Sequence, residues 1–226
     1  MTRVADRHEI DTLIAGAKAM GLELNEGQAS LLLAFLDRFY SWNRFGGFTR
    51  IPREKGLRLH LLDSLTVVGD LAGATAIADL GTGGGMPGIP LALAVRESAF
   101  TLVEVRGRRC TFLREVVRDY GLSPRVEVVE GDAWGLVRGT NRFDAVLARA
   151  FLPPKRLLSL GSKLIRPTGR VIVMGSSEEW IQETPPSLLL AETGLEMVAE
   201  RTLSLPGGGE VRRIFRFQRP SRECFT

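Results

Sequence analysis

Asp79, Gly81, Gly83 and Gly85 follow one another as D-x-G-x-G-x-G within "IADLGTGGGMPGIPLAL", residues 77–93. The glycines come directly after an apolar run, where the chain is expected to leave a strand and enter a helix. Without a Cβ, glycine turns sharply there and lets the backbone approach a ligand closely. Amide N–H groups left free at the start of the following helix can bind that ligand's polar atoms. Glu104 closes the next apolar run, "TLVEV", nineteen positions past Gly85. A carboxylate at an offset of about 20 is the one that takes the hydroxyls of a ribose. Asp132 follows "RVEVVEG", where folds of this kind contact adenine. Together these residues describe a cradle for an adenosine-bearing cofactor. NAD would set its pyrophosphate on an open helix start, whereas Met86-Pro87 stiffens the exit here and Asp79 precedes the loop. S-adenosylmethionine, whose ammonium suits acids near the loop, is the better fit.

Apolar spacing supplies the frame for this cradle. From residue 76, the runs "ATAIADL", "FTLVEV", "RVEVVEG", "FDAVLARA" and "GRVIVMG" alternate with helical stretches. One of these stretches carries Leu113, Val116, Val117 and Tyr120, with Gly121 as its C-cap. Strands apolar on both faces and separated by helices form a parallel sheet covered on each side. "LEMVAERTLSL", "PGGG" and "EVRRIFRFQR" then read as two strands around a glycine turn. The expected fold is α/β: a Rossmann-like class I methyltransferase with a mostly parallel seven-stranded sheet ending in an antiparallel hairpin.

Residues 1–75 read as an N-terminal helical extension, ahead of a cofactor-binding domain at 76–226. Ile10, Leu13, Ile14 and Ala17 mark one amphipathic helix, and Leu32, Phe35, Leu36 and Phe39 a second that opens with a capping box at Asn25 and Gln28. Glycine and proline in "RFGGFTRIPREKG" predict a basic loop over 44–58. A third helix is expected over 60–73, with Leu61, Leu65 and Val68 on one side.

Lys and Arg exceed Asp and Glu by four, unevenly. Residues 36–60 hold Arg38, Arg44, Arg50, Arg53, Lys55 and Arg58 against Asp37 and Glu54, and residues 201–226 hold six arginines against Glu210 and Glu223. Clustered arginine suits phosphate. Cys110 and Cys224 fit no zinc spacing, so no metal is expected and both read as free thiols. No apolar run approaches the roughly 18 residues that cross a bilayer, and "MTRVADRHEI" has no signal-peptide h-region.

"HLLDSL" (60–65), "DLGTGGGMPGIPLAL" (79–93), "FLREV" (112–116) and "ARAF" (148–151) resemble the glucose-inhibited division protein B family, also called the small-subunit ribosomal RNA methyltransferase G family. "SWNRF" (41–45) and "GRVIVMG" extend the resemblance over most of the chain. It implies a bacterial cytoplasmic enzyme that methylates guanine N7 in a hairpin loop of 16S ribosomal RNA. By position, Gly81, Met86, Ala133, Trp134 and Arg149 would line the cofactor site. The chain departs from the family's pattern at three places: Gly47-Phe48-Thr49 replaces Asn-Leu-Thr, Asp132 replaces Arg, and Met174 replaces Lys.

Guanine N7 has a lone pair and no proton, so its methylation needs orientation rather than a general base. Arg149, at the edge where substrate meets cofactor, is the expected catalytic residue, with three alternatives: stacking on the base, donating to guanine O6, or binding the methionine carboxylate. His60, Asp63 and Ser64 are expected in the same cleft. Arg44, Arg50 and Arg53 would meet RNA phosphates, helped by Arg212, Arg213, Arg216 and Arg219, which strand alternation divides between two faces. Phe45, Phe48 and Trp42 could stack on unpaired bases, with Trp42 better suited to the core. The expected partner is ribosomal RNA or a small-subunit precursor, bound by a monomer. Two alternatives stand beside this: a methyltransferase paralogue acting on another RNA, a small molecule or a protein, and a binding module without activity.

Overall fold

The computed structural model describes residues 6–139, 142–149, 151–175 and 191–220. Ala150, Arg222, Glu223 and Cys224 lie outside them. Helix α1 (Arg7–Ala19) starts at Asp6, whose carboxylate accepts from the His8 N–H. Helix α2 (Glu26–Gly46) opens in the expected capping box, in which Asn25 and Gln28 each accept the other's backbone N–H. Both caps satisfy donors that a helix start leaves unpaired. Leu13, Ala17, Leu32, Phe35, Leu36 and Phe39 are all buried.

The expected basic loop is shorter than 44–58. Only residues 47–52 are irregular between α2 and the next helical segment. From there α3 (Arg53–Gly56), a π-helical stretch (Leu57–Leu62) and α4 (Asp63–Leu65) follow without a break, and Val68–Leu71 form a separate 3-10 turn. Proline and glycine do not break the segment because of where they fall. Pro52 sits at the N-cap, where its missing N–H is not needed. Gly56 lies under Tyr40, whose ring would be 2.7 Å from an added Cβ.

The remaining elements are β1 (Ala76–Leu80), α5 (Gly88–Ala94), β2 (Ala99–Glu104), α6 (Gly107–Asp119), β3 (Val126–Glu130), a 3-10 turn (Ala133–Gly139), β4 (Phe143–Arg149), α7 (Pro154–Leu164), β5 (Ile165–Gly175), β6 (Glu196–Ser204) and β7 (Val211–Gln218). They build one seven-stranded sheet in the order β3-β2-β1-β4-β5-β7-β6. Strands β1 to β5 are parallel, and β7 runs antiparallel to both β5 and β6. The expected mostly parallel sheet with a terminal hairpin is therefore present. Strand order reverses between β1 and β4, which opens a crevice at their carboxyl ends. Gly81 follows β1 at that crevice, and Arg149 ends β4.

The N-terminal helices share one hydrophobic core with the sheet, running from Leu13 and Leu36 through Leu61 to Ile89, Phe112 and Ile214. Ion pairs tie the helical segment 53–65 and the 3-10 turn after it to the hairpin. Arg58 meets Glu210, Arg212 meets Asp63 at 2.6 Å, and Asp70 takes both Arg201 and Arg216. The hairpin arginines are thus not the phosphate track expected of them. Arg213 pairs with Glu200, and Arg219 donates to the Ser162 and Arg166 carbonyls at 2.6 and 2.8 Å. Strand alternation divides them as expected, but each face already has its partners.

Leu61 is fully buried where helices and sheet meet. Leu61→Ala should lower the free energy of unfolding by about 2–5 kcal/mol, measured by urea denaturation followed in the far ultraviolet. An unchanged midpoint would show that the helical segment unfolds separately from the sheet.

Candidate functional site

The turn after β1 is built from positive-φ glycine: Gly81 at +67°, Gly83 at +62° and Gly85 at +89°. Two of them are also held by close packing. An added Cβ at Gly81 would stand 2.1 Å from the Phe151 ring, and one at Gly85 would stand 2.7 Å from Ile89. Asp79 anchors the turn. Its Oδ2 accepts from the Thr82 hydroxyl at 2.6 Å and from the Gly88 N–H at 2.8 Å, joining β1 to the start of α5. Its Oδ1 is buried with no partner among the described residues. Burial pushes the carboxyl up to about 6, against the pull of those two bonds.

Two cavities meet at Gly81. One, of about 380 Å³, is lined by Glu104, Asp132, Ala133 and Trp134 together with Arg109 and Phe151. Glu104 is buried. It accepts from the Arg106 N–H at 2.9 Å and lies 3.5 Å from the Arg109 guanidinium. Asp132 accepts from the Trp134 N–H at 3.0 Å and so caps the 3-10 turn. The Trp134 ring has the Lys163 ammonium over it, 5.1 Å from its centroid.

The other cavity, of about 400 Å³, is walled by His60, Asp63, Met86, Arg149, Met174 and Arg212. Asp63 holds two guanidinium groups, from Arg149 at 2.9 Å and from Arg212 at 2.6 Å. The π-helical stretch ends at Asp63, whose N–H bonds the Arg58 carbonyl five residues back. Such stretches are frequent at functional sites. His60 is buried, and neither ring nitrogen has a partner among the described residues. Burial and the nearby Arg149 cation lower its pKa to about 4.

Two expected site residues are placed elsewhere. Ser64 is fully buried and donates to the His60 carbonyl at 2.6 Å. Helical back-bonding thus consumes its hydroxyl, and it does not line the cavity. Arg53 lies between Glu9 and Asp37, at 3.0 and 2.7 Å, because α3 packs on the first two helices. A guanidinium so paired is not a free phosphate ligand. Arg44 and Arg50 are exposed and have no acidic partner among the described residues. Phe45 is 71% exposed. Phe48 and Trp42, however, pack on Phe112 with centroids 5.1 and 5.5 Å away.

The sequence placed Arg212 on a face with Arg216 but not in the cleft. Alternation gives a side chain's face without saying what covers it. Arg109 was missed altogether. Its only signal was its place in the first turn of the helix after Glu104, and its guanidinium lies over the Phe48 ring at 5.9 Å.

Because the folded chain holds the Asp79 proton to higher pH than the unfolded chain, the group favours folding below the ordinary carboxyl range. That contribution is lost as the pH rises through about 6. Asp79→Asn, with its amide oxygen in place of Oδ2, keeps both accepted bonds and removes the buried charge. Its melting temperature should fall less than that of the unmodified protein between about pH 5 and about pH 8. Equal slopes in a calorimetric scan would show that Asp79 carries no such penalty.

Residues 28–199 match the family described as rRNA small subunit methyltransferase G. The ribosomal RNA small subunit methyltransferase G of Chromobacterium violaceum is 38% identical over 160 residues, 70% of this chain and 76% of its own. That of Aromatoleum aromaticum is 34% identical over 222 residues, covering 92% of this chain and 98% of its own. Among solved structures, the mitomycin 7-O-methyltransferase MmcR aligns with a TM-score of 0.57 at 21% identity, over 94% of this chain and 68% of that one. The B. subtilis M1A22 tRNA methyltransferase TrmK aligns with a TM-score of 0.57 at 16% identity, over 70% of this chain and 65% of that one. These structures share the class I methyltransferase fold with unlike acceptors. Sequence identity sustained over nine-tenths of the chain is more particular, and by it this methyltransferase belongs to the rRNA small subunit methyltransferase G family.

Proposed function

We propose that the chain transfers a methyl group from S-adenosylmethionine to N7 of a guanine in the RNA of the small ribosomal subunit. The observation that carries this reading is the meeting of two cavities at Gly81, one edged by Glu104 and the other walled by Arg149 pinned to Asp63. The residues present suit the cofactor. Glu104 has oxygen lone pairs to spare for ribose hydroxyls, beyond the bonds from Arg106 and Arg109. The idle Asp79 Oδ1 is an acceptor beneath the glycine turn, of the kind an ammonium needs. Gly83 leaves open space where a side chain would otherwise stand, with Arg109 the nearest side chain at 3.5 Å from an added Cβ. Ala133 and Trp134 line the cavity edged by Glu104, whereas Gly83 and Met86 line the one walled by Arg149.

When bound, S-adenosylmethionine supplies a methyl carbon on a cationic sulfur, and the carbon–sulfur pair stays on sulfur as the N7 lone pair forms the new bond. The chain's own work is to hold and orient. No proton leaves N7, so no base is required. Asp63 fixes the Arg149 guanidinium with one bond, leaving further N–H donors for the nucleotide. Arg44 precedes and Arg50 lies within the loop 47–52, whose Phe48, Thr49 and Ile51 form one wall of the acceptor cavity. They are therefore suited to hold phosphates beside the target base, and the exposed Phe45 to meet an unpaired neighbour.

Among the described residues no helix is long and apolar enough to cross a membrane, and no group of His, Cys, Asp and Glu could hold a metal ion. A monomer acting in the bacterial cytoplasm is proposed. One observation favours a less charged acceptor: Met174, 5% exposed, lines the cavity where the resemblance leads one to expect lysine.

Incubation with labelled cofactor and fractionated bacterial RNA, followed by nucleoside analysis, should place the label in N7-methylguanosine of small-subunit RNA. Label in another nucleoside, or none in RNA, would overturn the proposal. RNA affinity should also fall steeply with salt as counterions cease to be released, whereas a small uncharged acceptor would be indifferent. Arg149→Ala should lower kcat/KM at least about a hundredfold, ~2.7 kcal/mol in the barrier. Its melting temperature should fall only modestly, because Asp63 keeps one of its two guanidinium partners, Arg212. Unchanged turnover would remove Arg149 from the mechanism.

A further inference from the structure

His60 poses a question that packing does not answer. The residue is only 4% exposed, and Nδ1 and Nε2 both lack a hydrogen-bond partner among the described residues. Buried polar atoms are almost always paired, and an exception needs a reason. The surrounding rings give none. Phe39 meets the imidazole at 5.2 Å between centroids and Tyr40 at 6.0 Å, contacts that phenylalanine would make equally well. His60 nonetheless walls the cavity that also holds Asp63, Arg149 and Arg212.

The groups around the ring keep it neutral and leave it available. Arg149, at the end of β4, opposes a second cation beside it, and burial acts in the same sense. Asp63, one turn further along the same helical segment, spends its oxygens on Arg149 and Arg212 rather than on the imidazole. The Tyr40 hydroxyl on α2 donates to the Ile51 and Pro52 carbonyls. A neutral imidazole carries one N–H and one lone pair, and in His60 both are unused.

The acceptor chemistry asks for such a group. Attack by N7 leaves the guanine ring positively charged, so a cation pressed against it would oppose the transfer and a neutral donor would not. N7 must itself remain free of hydrogen bonds, because its lone pair makes the new bond. The carbonyl oxygen beside N7 is the nearest handle. We propose that His60 is a positioning residue for the target guanine, its neutral ring N–H donating to that carbonyl oxygen while N7 is alkylated. No proton moves, and the imidazole leaves the reaction as it entered. This inference rests on the guanine-N7 reading above.

The test compares His60→Phe, His60→Asn and His60→Gln in the full chain, using small ribosomal subunits that lack the modification as acceptor. Phenylalanine preserves the ring packing and removes both nitrogens, while the Asn and Gln amides replace the Nδ1 and Nε2 positions respectively. His60→Phe should keep or raise the melting temperature and hold the S-adenosylmethionine Kd within about twofold by calorimetry. Its single-turnover rate at saturating subunits should drop about a hundredfold, as misplacement of a reacting base does. One of the two amide variants should recover most of that loss. The inference is overturned if His60→Phe methylates at the unmodified rate, if rate and melting temperature fall together in all three variants, or if neither amide restores activity. Failure of the unmodified protein to label guanine N7 would instead sink the guanine-N7 proposal itself, so the two failures are separable.

Discussion

A carboxylate withdrawn from water is costly unless its oxygens find charged or hydrogen-bonded partners. Asp63 meets that condition with Arg149 from the end of β4 and Arg212 from β7. Its own place is set by the π-helical stretch that ends there. Three parts of the chain far apart in sequence must therefore arrive together before the cavity beside Arg149 has its wall. Asp70 repeats the device one step along, taking Arg201 and Arg216 from the hairpin strands. The N-terminal helices thus form one side of the site, and they share the sheet's core.

Across the crevice, the glycine turn works by a different principle. Asp79 uses one oxygen to hold strand, turn and helix together and leaves the other bare. Burial of that carboxyl raises its pKa, which is the physical cost of anchoring the turn from inside the fold. The charge balance of the cavity beside Arg149 is equally particular. Two guanidinium groups face one carboxylate and a neutral imidazole. The wall therefore carries a modest positive excess. Such a wall suits the proposed transfer to guanine N7, in which no proton moves and orientation is what is required.

Much of the frame was legible from residues alone. The capping box at Asn25 and Gln28, the alternating strands and helices, the glycine turn and the final hairpin all express local preferences, and the structure contains each of them. The boundaries of the third helix were not legible. Proline at an N-cap and glycine under a tyrosine ring look identical in sequence to a loop. Ser64 was drawn to the cleft by its neighbours in "HLLDSL", yet its hydroxyl turns back to the His60 carbonyl.

What the sequence by itself determined was the glycine turn and the alternating strands and helices around it, because backbone freedom at glycine and the period of apolar residues are properties of a short stretch. Which cations are free was decided only by the tertiary structure. Arg44 and Arg50 are written in the same letter as Arg53, Arg58 and Arg212, but the latter three fold against Asp37, Glu210 and Asp63. A guanidinium's role depends on the carboxylate that packing brings to it, and that carboxylate is rarely a neighbour in sequence.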